Sequence, residues 1–101
     1  MPFHPVPEAN QLKPGKGMTV SIDGKRVALF NLNGRFHATA DACPHVGAPL
    51  GSGWVEGKTV ACPMHGWEFD IKTGKGITIS SCSIETYPVR VENGTVEISI
   101  D

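Results

Sequence analysis

The chain has 101 residues, of which 40% are hydrophobic and 19% charged, and its formal net charge is −1. That is the size and make-up of one folded domain rather than a disordered segment, and the near-neutral balance lacks the basic footprint of a nucleic-acid binder. No apolar run approaches the roughly 20 residues needed to span a membrane, and the N-terminus lacks the basic and then apolar stretches of a signal peptide.

Residues 1–6 are short, apolar and proline-rich. Phe3 and Val6 can pin an edge strand, where Pro2, Pro5 and Pro7 are tolerated because an edge needs fewer ladder donors. His4 reads as a surface residue of that edge. Residues 8–12 suit one helical turn, ended by Pro14-Gly15. Strands are then predicted over 18–22, 26–32 and 35–39. Asp23-Gly24 and Asn33-Gly34 join them, and both dipeptides accept the positive φ that tight hairpins require. His37 reads as a surface residue of the third strand. Residues 53–61 form a predicted hairpin turning at Glu56-Gly57, with Trp54 in core or loop packing. Residues 67–71 alternate and turn at Thr73-Gly74. Two long strands, 84–91 and 95–100, close the chain around Asn93-Gly94. The expectation is a single all-β domain of antiparallel sheets over residues 1–101, without repeats or low-complexity tracts.

The chemistry gathers between residues 43 and 65. Cys43-Pro44-His45 is followed by sixteen residues and then Cys62-Pro63-Met64-His65. Each pair sets a thiolate beside an imidazole on a short turn, and soft thiolates favour zinc, copper(I) or iron–sulfur centres. A structural zinc site of two Cys and two His usually leaves two or more residues between paired cysteines and three or more between paired histidines. Here the pairs are mixed, Pro44 alone separates the first, and a strand rather than a helix follows the second. A two-iron centre suits two such loops better, one iron taking both thiolates and the other both imidazoles.

With C-x-H, a loop of this length and then C-x-x-H, the chain resembles the Rieske family over essentially its whole length, including the Tyr87-Pro88-Val89-Arg90-Val91 segment. The resemblance implies one Rieske-type [2Fe–2S] cluster held by Cys43, His45, Cys62 and His65. It also implies a small cluster-binding subdomain, about residues 41–83, inserted in a larger basal one. Two ferric ions and two sulfides carry a net charge of about +2, which two thiolates neutralise, whereas four would leave about −2; the neutral centre accepts an electron more readily. Rieske potentials accordingly lie at about −150 to +300 mV, against about −400 mV for all-cysteine plant-type clusters.

High-potential members resemble C-T-H-x-G-C and C-P-C-H-G-S-x-Y, with a disulfide joining the loops. Ala48 and Met64 occupy those cysteine positions here, and Trp67 and Phe69 replace the Ser and Tyr that donate hydrogen bonds to sulfur. Fewer donors leave the added electron less stabilised, so a low-potential, ferredoxin-type centre is expected. Trp67 is read as a hydrophobic lid, or else a partner contact. Val46, Pro49, Leu50 and Met64 are expected to form an apolar rim. The resemblance also implies that residues 75–83 make a third loop beside the cluster; Cys82 within it, read as a small buried residue, has no assigned partner. An odd cysteine count with two assigned to metal points to a reducing, cytoplasmic setting.

No nucleophile–base pair, phosphate loop, or flavin or nicotinamide motif is present, so the chain is expected to be an electron carrier and not an enzyme by itself. The family implies its partners: an NAD(P)H-dependent flavin reductase as donor and a terminal oxygenase as acceptor, either a ring-hydroxylating dioxygenase or a multicomponent monooxygenase. Two alternatives remain. One is the small subunit of an NADH-dependent nitrite reductase, although many of those lack ligands that this chain retains. The other is a zinc-stapled interaction module.

Overall fold

The computed structural model describes residues 3–44, 47–64 and 66–100. Among them, ten strands pair into three sheets, every pairing antiparallel. The all-β expectation holds: the helical segments are two short 3-10 turns, Pro7–Gln11 and Leu50–Ser52.

The central sheet is the predicted meander, β2 (Lys16–Ile22), β3 (Lys25–Leu32) and β4 (Arg35–Ala40), with β8 (Thr86–Tyr87) added beside β4. Both meander turns have positive φ at both central residues: Asp23 at 49° and Gly24 at 80°, then Asn33 at 56° and Gly34 at 90°. That backbone matches the right-handed twist of the strands it joins. A second sheet runs β1 (His4–Pro5), β10 (Thr95–Ile98), β9 (Val89–Glu92), with Pro5 on its edge strand. The third sheet is β5 (Trp54–Glu56), β6 (Thr59–Ala61), β7 (Glu68–Asp70).

Strand β3 divides the interior. Val27 and Leu29 point into one core with Val20, Ala38, Tyr87, Val96 and Ile98, while Ala28 and Phe30 point into another with Cys43, Leu50, Val60, Cys62, Phe69 and Ile71. Alternate strand residues face opposite sides, so a strand covered on both faces is an unbroken apolar run, as Val27-Ala28-Leu29-Phe30 is.

Several sequence expectations are corrected. The single strand over 84–91 is two: β8 pairs with β4, β9 pairs with β10, and Pro88 sits between them. A proline donates no ladder hydrogen bond, and the chain changes sheets there. The β5–β6 hairpin turns at Gly57-Lys58, one residue later than read, with Gly57 at φ 61°. Trp54 is not core: it is 67% exposed.

His37 is half-buried rather than a surface residue, and its Nε2 is buried without a hydrogen-bond partner. Burial pushes its pKa below the usual histidine value, Lys72 and Arg35 add to the effect, and Asp70 opposes it. Between the lowered native pKa and about 6.5, the unfolded chain binds a proton that the native chain does not, so stability rises with pH in that window. Acidification below pH 6.5 is therefore expected to lower the denaturation midpoint, and His37→Gln to flatten that slope. Parallel wild-type and variant pH profiles would contradict this.

Candidate metal centre

The two ligand loops share one backbone frame. In the first, the Cys43 N–H donates to the Ala48 carbonyl at 2.9 Å, and the Gly47 N–H donates to the Cys43 carbonyl at 2.7 Å. In the second, the Cys62 N–H donates to the Trp67 carbonyl at 2.8 Å, and the Gly66 N–H donates to the Cys62 carbonyl at 2.9 Å. Each loop thus runs from a cysteine to its fifth successor, with a left-handed glycine at the fourth: Gly47 at φ 72°, Gly66 at φ 73°. Only a residue without a Cβ enters that region at no cost. The sequence reading did not draw this equivalence.

Cys43 and Cys62 are 1% and 0% exposed and share one core with Val60, Leu50 and Phe69. The expected thiolate donors are therefore brought to one place, on paired turns, against an apolar floor. The expected imidazole donors, His45 and His65, lie outside the described residues, as does Val46. Among the described residues no group of three or more His, Cys, Asp or Glu side chains is placed to hold a metal. A centre here therefore needs donors beyond the two thiols, and the two neighbouring histidines supply the right kind. The chemistry fits a cluster with mixed sulfur and nitrogen ligands.

The neck of the first loop is tied by a residue that the sequence reading did not single out. Asp41, two positions before Cys43, is fully buried. Its Oδ1 accepts hydrogen bonds from Thr19 Oγ1 and the Gly51 N–H, both at 2.9 Å. Its Oδ2 accepts from Arg26 Nε at 3.0 Å and Nη2 at 2.8 Å. The Leu50 N–H donates to the Asp41 carbonyl at 2.7 Å, and Ala42 bridges Pro49. A buried charge is tolerated when paired and hydrogen-bonded in this way. Nothing in the local pattern signals it, because Arg26 lies fifteen positions earlier on β3.

The third loop is held firmly. The Ile77 N–H donates to the Glu68 carbonyl at 2.8 Å, the Glu68 N–H to Thr78 Oγ1 at 2.9 Å, and Phe69 bridges Gly76. In the turn that leads into it from β7, the Asp70 carboxylate accepts from the Lys72 N–H at 2.9 Å and the Thr73 N–H at 3.0 Å. Burial alone would raise the Asp70 pKa, but the Thr73 and Lys72 hydrogen bonds, with Lys58 nearby, hold it below the usual carboxylate value. Cys82 is half-buried, its N–H donating to the Ile79 carbonyl at 3.0 Å.

The apolar rim is partly as read. Met64 is 67% exposed and Pro49 is exposed, but Leu50 is fully buried and belongs to the core floor. Ile77 and Ile79, which composition did not single out, are exposed on the third loop. Trp67 is half-buried against the core that holds both cysteines, which agrees with a lid.

The model of the Rieske [2Fe-2S] domain matches residues 3–88, and the chain belongs to that family. The ferredoxin component of the naphthalene 1,2-dioxygenase/salicylate 5-hydroxylase systems of Ralstonia sp is 34% identical over 93 residues, covering 91% of this chain and 89% of that one. A chain from the complex of reduced oxygenase and oxidized ferredoxin in carbazole 1,9a-dioxygenase superposes with a TM-score of 0.88 at 28% identity, covering 96% of this chain and 92% of that one. A Mycobacterium tuberculosis structure described as an NADH-dependent nitrite reductase small subunit also superposes with a TM-score of 0.88, at 30% identity, covering 96% and 93%. Family membership brings one Rieske-type [2Fe–2S] cluster, and the curated relatives are ferredoxin components, so the chain is an electron carrier and not itself a catalyst. No helix among the described residues is long and apolar enough to cross a membrane.

Proposed function

We propose that this protein carries single electrons from an NAD(P)H-dependent flavin reductase to a terminal oxygenase, either a ring-hydroxylating dioxygenase or a multicomponent monooxygenase. In this reading Cys43 and Cys62 bind one iron and His45 and His65 the other. The bound cluster supplies a one-electron couple with no open coordination position. The observation that carries the assignment is the repeated frame from Cys43 to Ala48 and from Cys62 to Trp67, two equivalent cradles whose thiols meet in one core. Residues 41–83, with the third sheet and the third loop, act as the cluster-binding subdomain on the basal sheets. The buried thiols put sulfur inward, and the exposed Met64 and Pro49 beside the ligand loops suit a small, weak contact that releases its partner after each transfer. A reducing cytoplasm fits a chain that would keep its thiols as metal ligands. Reconstitution tests the partners: with a flavin reductase, NADH and a terminal oxygenase, product should form only when this chain is present.

Two measurements test the centre's character. The midpoint potential should lie near the bottom of the Rieske range, and Phe69→Tyr or Trp67→Ser should raise it by restoring a hydroxyl donor. A wild-type midpoint well above zero would contradict this. Neutral imidazole ligands keep a second ring proton, whose loss is favoured by oxidised iron. The midpoint should therefore fall as pH rises into the alkaline range, and a flat profile would remove His45 and His65 from the ligand set.

A further inference from the structure

We propose that Arg26 and Asp41 form a charge-balanced clasp that positions the first ligand loop and sets the electrostatic environment of the centre. The clasp joins three elements. Asp41, at one end of the loop, holds the other end by accepting the Leu50 N–H at its carbonyl and the Gly51 N–H at its carboxylate, and it holds β2 through Thr19 and β3 through Arg26. Arg26 then reaches past Asp41, its Nη2 donating to the Gly47 carbonyl at 3.3 Å. Gly47 is the left-handed residue whose N–H closes the turn on Cys43. One guanidinium thus holds the neck of the loop and its glycine corner together.

The two partners differ in exposure. The Asp41 side chain is wholly buried, whereas that of Arg26 is half-exposed. Paired, they present little net charge to the loop. Unpaired, each would act on the added electron with opposite sign, and a charge in the interior is screened less than one in water. Loss of Arg26 leaves a buried negative charge beside the loop, which disfavours reduction. Loss of the Asp41 charge leaves a cation, which favours it. A role in packing alone predicts no such opposition.

The proposal rests on Cys43 and His45 being ligands. The experiment is a redox titration of the cluster-loaded protein, followed by EPR, for wild type, Arg26→Gln, Asp41→Asn, the double variant and Thr19→Val. The expected result is a lowered midpoint for Arg26→Gln, a raised one for Asp41→Asn, and a value near wild type for the double variant. Thr19→Val removes one hydrogen bond and no charge, so its midpoint should stay in place. All four variants should lose the visible chromophore to a chelator several-fold faster than wild type. Shifts of the same sign in both single variants, or no shift in either, would overturn the clasp's electrostatic role. If either variant is too unstable to load, Arg26→Lys, which keeps the charge but loses the fork, must hold the midpoint while losing its chromophore faster; a displaced midpoint overturns the proposal. Cys43→Ala separates the two levels. A Rieske signal that survives it defeats the ligand assignment, whereas its loss alongside unmoved midpoints in the Arg26 and Asp41 variants defeats only the clasp.

Discussion

Gly76→Ala is expected to destabilise the protein by about 3–5 kcal/mol and to open the third loop. A Cβ at this position would collide with the carbonyl oxygens of Cys82 and Ile79, which are fixed backbone atoms rather than flexible side-chain ends. Overpacking of a well-filled site costs about 1–3 kcal/mol. Relief requires moving residues 77–82, and that strains the Ile77–Glu68 and Cys82–Ile79 hydrogen bonds, each worth about 1 kcal/mol. Gly94→Ala is the contrast. Its φ is 77°, but a Cβ there meets nothing within 4 Å, so it should cost only about 1 kcal/mol of backbone strain. Denaturant titration of both variants checks the difference. A Gly76→Ala protein within 1 kcal/mol of wild type would show that the loop yields, and would remove its role as a fixed wall beside the ligand loops.

Cys62→Ala is expected to abolish the visible chromophore and to bring the thermal midpoint down to that of the metal-free wild type. The side chain is 0% exposed among apolar neighbours, so alanine removes a single buried atom. Truncation alone therefore costs little. The large loss comes from the metal, because a bound centre contributes its binding free energy to the folded state. The comparison to make is calorimetry of four samples, wild type and variant, each metal-free and after reconstitution with iron and sulfide. A variant that retains stoichiometric iron and sulfide would take Cys62 out of the ligand set.

The parts of the fold legible in the sequence are the local ones. Asp23-Gly24, Asn33-Gly34 and Asn93-Gly94 specify their turns through the φ they tolerate, and all three adopt it. The ligand spacing is local in the same sense, since each Cys–His pair lies within one turn. Whatever depends on distant neighbours was hidden. Trp54 has the composition of a core residue, yet only the third sheet's placement decides that it faces outward. Leu50 reads as rim from its position in a loop, but the 3-10 turn at Leu50–Ser52 drives it inward. Pro88 is a visible strand breaker, but the change of sheet on either side of it is a property of the tertiary fold. The Asp41 network joins residues 10 to 22 positions apart, on two strands and two ends of a loop. No periodicity or motif encodes such a contact set.

The decisive measurement is a visible absorption and low-temperature EPR spectrum of the freshly purified protein, before and after dithionite. A Rieske centre on Cys43, His45, Cys62 and His65 gives a red-brown protein that bleaches on reduction and shows a rhombic signal with a low average g-value. A colourless, EPR-silent protein that retains zinc, or one that yields no such signal after reconstitution with iron and sulfide, would contradict the assignment.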